Sequence, residues 1–123
     1  MPEALRMLSS SVTMSESPVL IVFCTCPDEP SAKAVAQRLV GDRLAACVSL
    51  LPSVVSVYRW KDQVETDNEV LLWIKTTSAA YASVETAIRS THPYELPEII
   101  AVESALGLPD YLQWVHDSCS ASS

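Results

Sequence analysis

Glycine is scarce in this chain, at 2 of 123 residues. A loop that cradles phosphate groups needs several closely spaced glycines, so the sequence contains no phosphate-binding loop of that kind. Basic residues are also few: 8 lysines and arginines face 15 aspartates and glutamates, which leaves a net charge of −7. Because affinity for nucleic acid comes mostly from neutralised phosphates, we expect no nucleic-acid partner, and cations are the more natural electrostatic partners.

Long apolar runs and closely paired cysteines are missing as well. The longest apolar run, at about residues 19–24, is far too short to cross a bilayer, so we expect no membrane partner. The four cysteines form no Cys-x-x-Cys pair, which argues against a zinc ribbon and a thioredoxin motif. The N-terminus also lacks the pattern of a secretory signal. We therefore expect free thiols and a cytoplasmic location.

The first half of the chain predicts a strand, a helix and a long second strand. Residues 19–25 are continuously apolar and β-branched, as in a central strand. Asp28 is placed to cap a helix whose apolar residues follow at helical spacing, and Gly41 is placed to close it. Residues 44–58 predict a strand that bends at Pro52, because proline removes a ladder donor.

The second half of the chain predicts the same order of strand, helix and strand, followed by a short helix. Residues 64–76 form the partner strand of an antiparallel hairpin, and Ser78 caps a helix that ends near Thr91. A strand over 98–103 and a short C-terminal helix opening at 107–110 follow. The order β-α-β-β-α-β predicts an α+β, ferredoxin-like fold, with an antiparallel sheet and two helices on one of its faces.

The predicted hairpin is too long for a domain of this size. Strands of about 13–15 residues reach ~45 Å, whereas a 100-residue domain has a radius of gyration of only ~13 Å. Exposed apolar strands aggregate unless they are covered, so we expect other copies of the chain to cover the projecting part in a small cyclic oligomer. The apolar residues concerned are Val54, Val55, Val57, Tyr58, Trp60 and Val64.

The domain is expected to span residues 18–118. Residues 1–17 are rich in serine and threonine with little periodicity and are expected to form a flexible tail. Residues 119–123 are expected to form a disordered tail.

Two clusters offer metal-binding side chains. Pro93 and Pro97 keep the residues before them out of a helix, and within this turn His92 and Glu98 supply an imidazole and a carboxylate. The alternative is a rigid connector with a capping histidine. Cys24 and Cys26 are two apart on a strand and so share a face, where two thiols suit Cu(I) or Zn(II), although buried cysteines are also common in strands.

Other polar groups give weaker indications. Cys24, His92 and Glu98 are also the residue types of a Cys-His-acid catalytic set, but their spacing does not favour it over a metal site, and we expect no enzyme activity. The carboxylates at 65, 67 and 69 alternate along a strand, which is typical of a solvated face. Tyr58 and Trp60 suit either ligand stacking or subunit packing.

Six stretches, in order, resemble the CutA divalent-cation tolerance proteins. The similarity covers about residues 18–117, and six ordered matches are far more specific than any one of them. The stretches are Phe23-Cys24-Thr25-Cys26-Pro27-Asp28-Glu29, Asp42-Arg43-Leu44-Ala45-Ala46-Cys47-Val48, Val57-Tyr58-Arg59-Trp60-Lys61, Leu72-Trp73-Ile74-Lys75-Thr76-Thr77, His92-Pro93-Tyr94-Glu95-Leu96-Pro97-Glu98 and Asp110-Tyr111-Leu112-Gln113-Trp114.

The resemblance implies a ferredoxin-like subunit in a homotrimer built like the PII signalling proteins. It further implies tolerance to copper (Cu2+) and other divalent cations such as Zn2+, with Cys24 and His92 as ligands. Some members carry a second histidine where this chain has Thr91, so we hypothesise that Cys26 or Glu98 compensates. The alternative is a trimeric, PII-like signalling module that binds a small molecule or protein partner in the clefts between subunits.

Overall fold

A computed structural model describes residues 17–119 of the chain. The predicted tails lie outside these residues, apart from Ser17 and Cys119. The described chain contains four strands and three helices in the predicted order. They are β1 (Val19–Cys26), α1 (Glu29–Gly41), β2 (Cys47–Trp60), β3 (Gln63–Thr77), α2 (Tyr81–Thr91), β4 (Ile100–Glu103) and α3 (Pro109–Ser118).

The four strands form one antiparallel sheet in the order β2-β3-β1-β4. Each β-α-β unit is split by a strand inserted between its two strands, which confirms the predicted ferredoxin-like α+β fold. In residues 17–119, every helix is too short or too polar to span a bilayer.

The core lies between one face of the sheet and the helices α1 and α2. Alternate residues of β1 and β3, among them Val22 and Leu72, point to the helices and are fully buried. Leu39 from α1 and Ile88 from α2 meet them. Each such side chain contributes about 1.5–3 kcal/mol through burial, so this layer holds the strand ends and helix ends in fixed positions.

The opposite face of the sheet is apolar and exposed. The register places Ile100 beside Phe23 and Phe23 beside Trp73, so the three side chains share this face. The rings of Phe23 and Trp73 meet edge to face at 5.1 Å between centroids. Trp73 is nevertheless 37% exposed, Val102 49% and Ile100 58%. This face is therefore a contiguous apolar surface that the described chain leaves uncovered.

The first helix begins as predicted but ends differently. The Asp28 side chain accepts a hydrogen bond from the Ser31 N–H at 2.8 Å, which confirms the N-cap. Gly41 lies inside the helix, and the left-handed residue after it is Arg43, with φ 61°. The N–H groups of Leu44 and Ala45 both donate to the Leu39 carbonyl. This turn delays β2, which begins at Cys47 and not at residue 44.

Two further predicted boundaries are wrong. Ser78 does not cap α2: the helix begins at Tyr81 with Ala80 as its N-cap, and the Ser78 N–H donates to the Pro18 carbonyl. The Thr77 hydroxyl accepts the Ala80 N–H instead, at 3.2 Å. The last strand begins at Ile100 and not at residue 98, because pairing with β1 stops at the Phe23–Ile100 position.

The long hairpin has the predicted bend. The register shifts between Leu51 and Val54, and Ser53 in this bulge has φ 63°. At the tip, Lys61 and Asp62 have φ 50° and 65°, as in the two-residue turns that match strand twist. The apolar residues of the projecting part, such as Val57 and Val64, are mostly exposed.

Candidate metal centre and adjoining cavity

Cys24, Cys26 and His92 come together at the end of β1. Each offers one ligand atom, these atoms lie within 4.8 Å of one another, and all three residues are buried. Within residues 17–119 no other set of three or more histidine, cysteine or acidic side chains converges in this way. Two of the three predicted ligands, Cys24 and His92, are therefore neighbours, and Cys26 joins them.

Local structure explains this convergence. Strand alternation points both thiols toward the helices. Because proline follows His92, helix α2 ends at Thr91, and His92 is its extended C-cap with φ −73° and ψ 139°. The His92 N–H still donates to the Ile88 carbonyl at 2.8 Å, which anchors the residue to the helix. Its ring thereby reaches the end of β1.

The hydrogen bonds of His92 define its tautomer. Nε2 lies 2.7 Å from the Thr25 carbonyl oxygen, and since a carbonyl only accepts, Nε2 carries the proton. Nδ1 accepts the Tyr94 N–H at 3.1 Å. The Cys26 sulfur lies 3.6 Å from Nε2. A cation bound at Nε2 must therefore replace the proton that now bonds Thr25, and the ring is already aimed at the thiols.

The pKa values of the two thiols shift in opposite directions. The hydrogen bond to Cys26 and burial raise the pKa of Cys24, and the carboxylates of Glu98 and Glu69 add to this effect. The same hydrogen bond lowers the pKa of Cys26. The two thiols are therefore directly coupled, so the loss of a proton from one changes the pKa of the other.

Glu98 lies outside the converging set. Burial, and then the charge of Glu69, raise the pKa of Glu98, and Glu98 lines a neighbouring cavity together with Glu69. The charge of Glu98 adds to the raised pKa of Cys24, after the hydrogen bond to Cys26 and burial. Its predicted role as a metal ligand stays a prediction.

The cavity has a volume of about 860 Å³ and lies between the hairpin and the segment at 94–98. Glu69 is only 7% exposed. The prediction that this carboxylate belongs to a solvated strand face is therefore wrong. The Tyr94 hydroxyl donates to Glu69 at 2.7 Å, and burial, then this bond, raise the pKa of Tyr94. Strand alternation alone gave no sign of this contact, because the folded connector between α2 and β4 buries the carboxylate.

A family model described as CutA1 divalent ion tolerance protein matches residues 20–118 of the chain. The chain belongs to this family. The match extends from β1 to the end of α3. It includes all three residues of the thiol–imidazole cluster, Cys24, Cys26 and His92. The predicted resemblance is thereby confirmed.

Relatives from distant organisms share much of this sequence. Protein CutA of Homo sapiens is 47% identical over 97 residues, which cover 79% of this chain and 54% of the human protein. This chain therefore spans only about half the length of that relative. The divalent-cation tolerance protein CutA of Thermus thermophilus is 41% identical over 98 residues, which cover 80% of this chain and 95% of that protein.

Solved structures of the family share the fold. The crystal structure of CutA from Xylella fastidiosa superposes with a TM-score of 0.81 at 47% identity. The match covers 84% of this chain and 99% of that chain.

Proposed function

We propose that this protein is a homotrimer that binds divalent cations, copper foremost, and contributes to metal-ion tolerance without acting as an enzyme. The convergence of Cys24, Cys26 and His92 carries this proposal. Family relatives named divalent-cation tolerance proteins support the same role. In this proposal the metal ion is cargo, which the protein removes from solution by enclosing it.

The donor set suits a soft or borderline ion. Two sulfurs and one imidazole favour copper and zinc over Mg²⁺ or Ca²⁺, which prefer oxygen ligands. Thiolates also bind monovalent Cu(I), the form that copper takes under reducing conditions, beside the divalent ions of this proposal. Because a thiol and a protonated imidazole nitrogen bind an ion only after losing their protons, protons leave as the ion enters, and affinity should rise with pH. In this proposal the negative charge of Glu98, which acts on Cys24, compensates part of the ion's charge without Glu98 being a ligand.

The trimer is proposed from surfaces that need cover. The exposed face of the sheet carries Trp73, Ile100 and Val102, and the hairpin carries further exposed valines. An exposed apolar face next to a long edge strand invites aggregation unless identical chains cover it in a closed assembly. The family resemblance supplies the number three. The cytoplasmic location is part of the proposal, supported by four free cysteines.

Metal titration of the metal-free protein under reducing conditions tests the binding site. We expect Zn²⁺ and Cu(I) to bind, and Cys26→Ser or His92→Ala to weaken binding at least tenfold. Cys47→Ser is the matched control, because Cys47 is a free thiol on β2 outside the cluster. Co²⁺ serves as a coloured probe, since a sulfur-to-cobalt absorption band reports thiolate ligation directly.

At a cobalt concentration that saturates the wild type only partly, the expected pattern is a much weaker band in both cluster variants and an unchanged band in the control. Equal affinity in wild type, Cys26→Ser and His92→Ala would overturn the assignment of the site. Binding of Mg²⁺ as tightly as Zn²⁺ would contradict the soft-donor argument.

A further inference from the structure

The cavity beside the metal centre has walls that suit an organic ligand. The aromatic side chains of Tyr58, Trp60 and Tyr94 line it, and Leu96 and Pro97 add apolar surface. Its volume of about 860 Å³ falls in the range of small-molecule sites, ~300–1,000 Å³. Such walls bury an apolar ligand body, and aromatic faces also attract cations.

The charge of this cavity is strongly negative. Three carboxylates line it, those of Glu69, Glu95 and Glu98, against the single guanidinium of Arg59. Glu69 is deeply buried and has the Tyr94 hydroxyl as a hydrogen-bond donor. Its negative charge and that of Glu98 act on each other, as the effect of Glu69 on Glu98 shows. A positive ligand placed between the two carboxylates relieves that repulsion.

A bare metal ion does not fit this site. Among residues 17–119, the only set of three or more potential ligands that converges on one point is the thiol–imidazole cluster. Glu69 and Glu98 alone therefore supply too few ligand atoms for a metal ion. A hard cation prefers oxygen ligands and gains little from aromatic walls. An anion such as a nucleotide is repelled by the excess of carboxylates that line the cavity.

An ammonium group on an apolar frame uses both features. Trp60 is the last residue of β2, and the ammonium group of Lys61, in the turn that follows, lies 5.6 Å from the centroid of its ring. This ring therefore already attracts one cation of the chain itself. We propose that the cavity binds a small organic amine, with its ammonium held by Glu69 and Glu98 and its apolar body against Trp60, Tyr58 and Leu96. This inference goes beyond metal binding and gives the small-molecule alternative a ligand class.

Binding of phenethylamine to the full-length protein, kept in its native oligomeric state with a chelator present, tests the proposal. The neutral 2-phenylethanol and the anionic phenylacetate have the same ring and are matched control ligands. We expect calorimetry to show phenethylamine binding at least tenfold more tightly than either. Glu98→Gln and Trp60→Leu should each weaken it at least fivefold, whereas Glu103→Gln, an exposed carboxylate on β4, should have no effect.

Two results would overturn the proposal: equal binding of the alcohol, the acid and the amine, or amine affinity unchanged in both Glu98→Gln and Trp60→Leu. The Cys26→Ser variant separates the two sites. It should lose metal binding and keep amine binding, so a failed metal experiment leaves this result interpretable. Far-ultraviolet circular dichroism of each variant verifies that the fold is retained.

Discussion

Replacing Ile100 by lysine should dissociate the proposed trimer while leaving the subunit folded. Ile100 is 58% exposed on the apolar face of the sheet, where it lies beside Phe23. It belongs to β4, a strand at the edge of the sheet, where lysine is well tolerated in a single chain. Only contact with a sister chain makes the substitution costly.

The magnitude follows from the area that association would remove from water. Full burial of an isoleucine is worth about 1.5–3 kcal/mol, so covering the exposed 58% contributes about 1–2 kcal/mol per subunit. Three subunits lose about 3–6 kcal/mol together, which raises the trimer dissociation constant by at least about a hundredfold. A lysine ammonium buried without a partner adds a further penalty.

Light scattering coupled to size exclusion at micromolar concentration measures the effect. Wild type should give three times the chain mass of 13.4 kDa, and Ile100→Lys should give a species approaching one chain mass. Val40→Lys is the matched control, because Val40 is an exposed valine, 43% accessible, on helix α1 on the covered side of the sheet. A wild-type monomer, or an Ile100→Lys trimer as tight as the control, would refute the reasoning.

Three further predictions concern single positions. His92→Ala removes the donor to the Thr25 carbonyl and opens a void, so the metal-free protein should lose about 2–4 kcal/mol of unfolding free energy in urea, and equal stability of variant and wild type would contradict this. Asp62→Gly should raise that free energy by about 0.5–1 kcal/mol, because Asp62 has φ 65° and glycine adopts this conformation without strain; a loss on this substitution would refute the turn assignment. The hydrogen bonds from Ser31 hold the pKa of Asp28 below its ordinary 3.8, so its cap stabilises the fold above that value and the stabilisation is lost as pH falls through the lower folded pKa. Asp28→Asn keeps an acceptor without that titration, and thermal melts should show a smaller loss of stability on acidification than in wild type; identical pH profiles would contradict the assignment.

The sequence predicts the order of elements because its local signals agree with the tertiary structure. The apolar run at 19–25 becomes a central strand, and Asp28 and Pro30 begin the helix that follows. Two of the boundaries that were wrong depend on distant partners. The Ser78 N–H bonds the Pro18 carbonyl while the helix begins only at Tyr81, and β4 begins where its pairing with β1 begins, at Ile100. Local propensity contains no information about these contacts.

The candidate metal centre was predictable in part for the same reason. Strand alternation put Cys24 and Cys26 on one face, and the proline after His92 placed that residue at a helix end. Cys26 and His92 are 66 residues apart in the sequence, and only the packing of the helices on the sheet brings them together. Glu98 follows a second proline that redirects the chain into the cavity wall, so nearness in sequence did not bring it into the converging set.

The buried carboxylate of Glu69 links the two sites. The hydrogen bond to Cys26 and burial raise the pKa of Cys24, burial raises that of Glu98, and the charge of Glu69 adds to both shifts. Tyr94, two residues after His92, donates a hydrogen bond to Glu69. A cation in the cavity would offset part of this negative charge, which lowers the cost of forming thiolates in the cluster but also weakens the attraction for a second cation. For a metal ion that enters by displacing thiol protons, these effects oppose each other. Zinc affinity measured with and without saturating phenethylamine therefore gives the sign of the coupling, and reciprocity requires zinc to change the amine affinity by the same factor.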